Sequence, residues 1–428
     1  MNVVSAIASS DVTPRQARQN EHLSVVQLIW ATPYLVVLQQ YIPELATRLG
    51  ASALLLGLLS SGAALMLTVG TALARYWIQR APADMRAVAL PGLGARAIVM
   101  WVPLALFIGS HQADWLVIGT LVCNLFIGIM QVPFTSALSR LTFSDRVPVL
   151  ISTRWTMLGI GNAIGIPLIA IVLDNLPLPW NYVAVCTLAT ITSVVEFFTF
   201  LRWRPRPVLA SQRMQRSPAS DLKQILRHPP ARQFLLLILL LNFGLSSISP
   251  LLPLKLVRYL QANNVQYGWY ATMSWLAIAL TGLVRPQLIR RYGNKLLFAA
   301  SGIGLAMEAL TLGLAQSLPF TWVAGAIGGV STGLFQVTAF SLIAESSPPD
   351  CYEGFVGIQA SVGNFAIFAA PLITSGLLSI GLPIGPTILL CAAARAIAGA
   401  LSYITFAGPS RLNVAAIDAR EPAGLVEN

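Results

Sequence analysis

Residues 233–254 read QFLLLILLLNFGLSSISPLLPL, an apolar run without one charged side chain. About 20 such residues in a helix cross the hydrocarbon layer of a bilayer. A helix on a soluble protein needs a charged or polar face turned to water, and this run has none. Gly244 and Pro250 lie inside it, and membrane helices tolerate both better than soluble ones do. The stretch is therefore read as a transmembrane helix.

Its neighbours repeat the pattern. Upstream, comparable runs occupy about 24–43, 52–74, 88–109, 115–138, 149–173 and 181–201. Downstream they occupy about 266–284, 296–316, 321–343, 355–379 and 384–406. With 233–254 this makes twelve spans. They must be helices, because lipid offers no partner to an unpaired backbone group. Composition agrees: 56% of the 428 residues are hydrophobic, 10% are charged and the mean hydropathy is +0.71. A soluble domain carries roughly 25% charged residues.

The expected organisation follows from what separates the runs. Residues 1–23 form a polar tail, 24–201 a first six-helix bundle, 202–232 a linker rich in Arg, Pro and Ser, 233–406 a second bundle and 407–428 a second tail. The polar start of the chain does not read as a signal peptide, so the first helix is expected to stay as an anchor. Basic residues concentrate at one set of span ends (Arg15, Arg18, Arg80, Arg86, Arg140, Arg146, the linker cluster, Arg290, Arg291, Lys295), leaving few at the other (Arg48, Lys255, Arg258). The positive-inside rule then puts both termini in the cytoplasm, and the short loops suggest a bacterial inner membrane.

The net charge of +11 is scattered in short clusters between apolar runs, which excludes a nucleic-acid surface as its explanation. Cys123, Cys186, Cys351 and Cys391 show no CxxC spacing and read as small core residues. His22, His111 and His228 make no metal-ligand pattern, and no phosphate loop, dinucleotide fingerprint or nucleophile elbow is present. No enzyme chemistry, metal or cofactor is expected.

An internal repeat joins the two halves. Pro43 and Arg48 recur as Pro253 and Arg258, and Gly92 and Gly94 as Gly302 and Gly304, all at one interval. Gln131-Val132 recurs as Gln336-Val337 at a slightly shorter one. Each half holds an even number of spans, so the halves are parallel repeats about an axis along the membrane normal.

Six plus six helices, parallel halves and a basic central linker resemble the major facilitator superfamily, over nearly the whole chain. The family's loop between helices 2 and 3, repeated between 8 and 9, reads Gly-x-Leu-x-Asp-Arg-x-Gly-Arg-Lys. Residues 286–295 read Pro-Gln-Leu-Ile-Arg-Arg-Tyr-Gly-Asn-Lys, so Leu288, Arg291, Gly293 and Lys295 match while Pro286 and Arg290 replace the Gly and the Asp. Gly161-x-x-x-Gly165-x-Pro167 in the fifth span is similar to a glycine pattern of exporters in the family, and equally suits close helix packing. The resemblance implies a secondary transporter of a small organic solute, with export as its direction. Because the loop motifs are degraded, a transporter-like scaffold or assembly subunit, bound to protein partners, stands as the alternative.

The resemblance further implies a cavity lined by helices 1, 4, 7 and 10 with support from 2, 5, 8 and 11. Those spans supply Trp30, Tyr34, Gln39, Gln40, Asn124, Gln131, Arg154, Asn242, Ser246, Trp275, Gln336 and Asn364. Amides and aromatics dominate, which suits an amphiphilic organic substrate, neutral or anionic; buried amides also serve to hold helices together.

Besides Arg154 near the start of the fifth span, four charged residues fall within spans: Arg96, Glu196, Glu308 and Arg395. At about 1.5 Å per residue, Arg96 and Glu196 lie about 12 and 8 Å from the cytoplasmic end, and Glu308 and Arg395 about 18 and 16 Å. Matched depths predict two ion pairs, Arg96–Glu196 and Glu308–Arg395. The resemblance places their helices away from the cavity, which favours a structural role. At the opposite end, Glu44 is expected to pair with Lys255 or Arg258 as an outer gate, unless these residues with Arg48 are only a solvated cluster.

Overall fold

The computed structural model describes residues 13–80, 85–143, 146–206, 218–348 and 352–406. Cys351, the C-terminal tail (407–428) and parts of the N-terminal tail and linker lie outside them. Among the described residues the chain is helical, without strands.

The first bundle contains α1 (Pro14–Arg48), α2 (Ala53–Arg80), α3 (Arg86–Phe107), α4 (Gln112–Leu138), α5 (Val147–Asn175) and α6 (Trp180–Leu201). A short linker helix, Pro218–Arg227, precedes α7 (Pro229–Tyr259). One helical stretch, Asn264–Leu314, follows and is broken at Gly293 (φ 74°, ψ 161°), a backbone conformation open to glycine alone. It forms two arms, α8 (264–292) and α9 (294–314), and α10 (Leu318–Ser346), α11 (Tyr352–Ser379) and α12 (Ile384–Phe406) complete the chain.

Eleven helices among the described residues are individually long and apolar enough to cross a membrane. The α8 arm makes the twelfth crossing. Its first residue, Asn264, bonds Asp174 near the end of α5, while Asn294 just past its other end bonds Glu345 at the end of α10. The arm therefore runs the full depth of the bundle. The sequence expectation of a loop between 284 and 296 is corrected: both helices continue until the single residue Gly293 turns the chain.

The helix starts also differ from expectation. α1 begins at Pro14, well before residue 24, because the Thr13 hydroxyl caps the helix by accepting from Gln16 N and a proline occupies its first turn. α8 starts with a capping box between Asn263 and Gln266. Within α1, residues Val37–Tyr41 form a wider π-helical turn just ahead of Pro43, whose missing N–H leaves the α pattern one donor short. In α7 a similar wide turn, Leu254–Tyr259, follows Pro253.

Packing follows the repeat. α1 lies against α5 and α6 as α7 lies against α11 and α12. The halves meet along two seams, α2 with α11 and α5 with α8, which exchange under the repeat. The face holding Pro14, Arg206 and Phe406 is here the terminal face; the one holding Arg48, Asn175 and Tyr259 is the distal face. Leu, Ile, Val and Phe side chains on the outside are widely exposed (Ile29, Leu104, Ile164, Phe198, Leu283, Phe365), as a lipid-facing surface requires.

Candidate functional site

A cavity of about 370 Å³ opens between α5, α8 and α10, lined by Ser152, Trp155 and Thr156 on one half and Ile278, Gln336 and Ser341 on the other. Val147, at the start of α5, and Ser341, near the end of α10, set it towards the terminal face. Closer to the distal face a second cavity of about 190 Å³ is lined by Gln39 and Gln40 of α1, Ser249 of α7 and Tyr267, Tyr270 and Trp275 of α8. A third, about 170 Å³, lies against Arg154 and shares Ile151 and Trp155 with the first.

The distal face is closed. Arg48 Nη2 donates to Ala262 O at 2.8 Å, and Arg258 Nη2 donates to Ala51 O at 2.5 Å and Thr47 O at 3.3 Å. The Asp174 carboxylate accepts from Asn264 N and Val265 N, both at 3.1 Å, at the first turn of α8, where helix N–H groups have no partner of their own. Ser60 and Ser249 hydroxyls meet at 2.9 Å, and the Tyr41 hydroxyl occupies the space a Cβ at Gly268 would need.

The expected Glu44 gate pair is corrected here. Glu44 is fully buried, and its Oε1 accepts from Arg48 Nε (2.9 Å) and Nη2 (2.6 Å), one helical turn away. It forms no ion pair with Lys255 or Arg258. Residues four apart on one helix are preset neighbours, so Arg48 satisfies the carboxylate locally, and backbone carbonyls take the cations that cross between halves.

Both intramembrane pairs are present as contacts. Arg96 grips Glu196 with Nε and Nη2, the latter at 2.7 Å from Oε1, and stacks 4.8 Å over the Tyr34 ring. Arg395 Nη1 reaches Glu308 Oε2 at 2.7 Å, while its Nε donates to Gly244 O at 2.7 Å. Neither pair is isolated. Gln27 Nε2 donates to Glu196 Oε1 as its own Oε1 accepts from Arg154 Nη2 at 2.8 Å. In the second half the Tyr270 hydroxyl donates to Glu308 Oε1 at 2.5 Å. Glu308 is thus bonded directly to a cavity-wall residue, Tyr270, and Glu196 reaches one, Arg154, through Gln27.

The remaining candidates divide by location. Gln39, Gln40, Trp275, Gln336 and Arg154 line cavities. Tyr34 is core, bonded to Cys123 Sγ at 3.1 Å. Asn124 and Asn242 donate to carbonyls of their own helices, Thr120 O and Ile238 O. Trp30, Gln131 and Asn364 line none of these three cavities. In the α8–α9 turn, Leu288 is half-buried, Gly293 supplies the turn, the Arg291 guanidinium lies 5.3 Å from the Tyr292 ring centre, and Lys295 follows on α9.

Sequence reasoning passed over Gln27, Ser152, Trp155, Thr156 and Tyr270. The signal was there for three of them: 152, 155 and 156 recur at helical spacing around a shared face of α5.

Twelve crossings in two related bundles, a cavity at the seam and one sealed face define a secondary membrane transporter. The sequence matches the profile of the Major Facilitator Superfamily over residues 31–258 and 234–427, and the chain belongs to that family. Its fold is similar to a mutant form of the nucleoside transporter NupG, with a TM-score of 0.71 at 11% identity over 90% of this chain and 99% of that one. A POT family transporter in complex with 5-aminolevulinic acid gives 0.70 at 12% identity, covering 91% and 96%. A D-xylose-proton symporter gives 0.68 at 13% identity, covering 90% and 96%. At these identities the likeness is one of fold. A comparison with curated protein sequences finds no match.

Proposed function

We propose that this chain moves a small organic solute across the plasma (bacterial inner) membrane by alternating access, and that the structure is its inward-facing state. The carrying observation is the asymmetry between faces. The halves are tied by hydrogen bonds across the distal face, while a 370 Å³ cavity separates α5 from α10 nearer the terminal face. The bias of Lys and Arg assigns the terminal face to the cytoplasm. Rocking one half against the other would close that cavity and release the distal contacts.

The cavity supports transport over the scaffold reading, which requires no solute-sized space at the seam. The glycine pattern does not add weight to export: a Cβ at Gly161 or Gly165 would run into Thr32 of α1, so packing accounts for both. Export is kept as the proposed direction, to be decided by flux into inverted against right-side-out vesicles.

Two cysteine pairs test the cycle, in a background with Cys123, Cys186, Cys351 and Cys391 replaced by Ala. Ser60→Cys with Ser249→Cys spans the distal contact, and Ser152→Cys with Ser341→Cys spans the cavity. Alternating access predicts that both pairs crosslink in one population, each suppressing the other. A distal pair that always closes and a cavity pair that never does would leave the scaffold.

A further inference from the structure

We infer that the solute is an organic anion, its oxyanion held by Arg154 and its apolar body lying along Trp155. This rests on the transport reading and names the chemistry of its substrate.

Apart from Glu44, which Arg48 satisfies at the distal face, the first half buries two guanidiniums and one carboxylate. Both oxygens of Glu196 are taken by Arg96. Arg154 reaches that carboxylate only through Gln27, so one negative charge serves two positive ones. Glu21, the acid of α1 towards the terminal face, is occupied by Arg146 and Thr142. Arg154 is only 8% exposed, and a buried charge without a partner is costly. Something must complete the balance, and no described acidic side chain does.

The donor inventory points the same way. A guanidinium carries five N–H donors. Arg154 Nη1 is held by Ser24 O and Oγ, both at 2.5 Å, and Nη2 by Gln27 Oε1. Its Nε donates to no described residue. The ring centres of Phe134 and Trp203 lie 5.4 and 5.8 Å from the guanidinium carbon, which fixes the group by stacking. A rigid guanidinium with an unused donor is suited to a carboxylate or similar oxyanion.

The space beside it supplies the rest. Apart from Arg154 itself, the 170 Å³ cavity is walled by apolar side chains, and it shares the walls Ile151 and Trp155 with the 370 Å³ cavity. An anionic head at Arg154 would leave a ring or alkyl body against Trp155, with Gln336, Ser152 and Thr156 as polar contacts beyond. None of the three cavities has an Asp or Glu in its lining, so an anion meets no repulsion and a cation no counter-charge.

The test uses three probes of one shape: naphthalene-2-carboxylate, its neutral carboxamide and the cationic 2-naphthylmethylamine. Each is titrated against purified full-length protein by thermal shift, where binding to the folded state raises the melting point. The carboxylate is expected to bind at least tenfold tighter than the amide, and the amine to give no shift. Arg154→Gln should erase the preference for carboxylate over amide, whereas Trp155→Ala should weaken both and keep the preference. Equal shifts from carboxylate and amide, or none from either, overturn the proposal; so does a carboxylate preference that survives Arg154→Gln. If Arg154→Gln does not fold, Arg154→Lys is read instead, and a preference at full wild-type strength there counts against recognition by the guanidinium. The transport reading is judged separately by the cysteine pairs, which need no solute.

Discussion

Arg48 and Arg258 hold each other's half of the molecule: Arg48 donates to the carbonyl of Ala262, and Arg258 donates to that of Ala51. The two arginines are repeat equivalents, so the distal face is locked by one bond used twice about the pseudo-axis. Arg48 is further steered by Glu44, whose buried carboxylate takes Nε and shares Nη2 with Ala262.

Removing both arginines should therefore favour distal opening. A hydrogen bond from a charged donor contributes about 1.5–3 kcal/mol when shielded. Partial solvent exposure of Arg48 argues for the lower end. Arg48→Ala with Arg258→Ala is expected to raise the rate at which a maleimide labels Ser249→Cys from the distal side by about tenfold or more, since ~1.4 kcal/mol is a factor of ten. An unchanged rate would show that these bonds do not latch the face.

The Arg96–Glu196 pair should behave as a coupled unit. Arg96→Ala strands a carboxylate with 0% exposure and is expected to cost about 3–5 kcal/mol, seen as a lower melting temperature in detergent. Arg96→Met with Glu196→Leu removes both charges and should cost less than either single change. Additive losses in that double-mutant cycle would mean that the contact carries no coupling energy.

Tyr270 links the second ion pair to the cavity. Tyr270→Phe keeps the ring but removes the donor to Glu308, with an expected loss of about 1.5–3 kcal/mol. Because Tyr270 also lines the 190 Å³ cavity, the same change should alter flux, whereas Glu308 retains Arg395 and the fold persists. Wild-type melting temperature and flux together would dismiss the link.

The backbones of α2 and α4 approach each other at Gly70 and Gly128. A Cβ at Gly70 would lie 2.1 Å from Leu125 O and 3.0 Å from the Gly128 Cα, both rigid backbone. Gly70→Ala should force these helices apart and sharply reduce folded protein by size-exclusion yield. Gly363→Ala, whose Cβ would meet nothing nearer than 3.6 Å, should leave the yield unchanged.

Much of the fold was legible because bilayer thickness and unpaired backbone groups impose hard rules on sequence. The apolar run 233–254 could be nothing but a span, and the recurrence of Pro43–Arg48 as Pro253–Arg258 exposed the duplication. Depth along a helix is likewise linear in residue number, which is why Arg96 met Glu196 and Glu308 met Arg395 as the spacing suggested. Cavity residues were less legible. Tyr34 and Gln39 both looked like wall residues, yet a change of helix face separates the core position from the lining one, and the π turn at Val37–Tyr41 shifts that face.

By itself the sequence determined the solvent, the helices, their number and the two-fold ancestry of the halves, since each depends on local composition or on repetition along the chain. Tertiary structure alone decided which partner each polar group found. Glu44 turned to Arg48 rather than across the seam, Arg154 was left with Gln27 and no carboxylate, and the halves closed on the distal face. Those outcomes depend on distances of a few ångströms between helices far apart in sequence, where one helical turn or one rotamer changes the partner, and no periodicity along the chain encodes them.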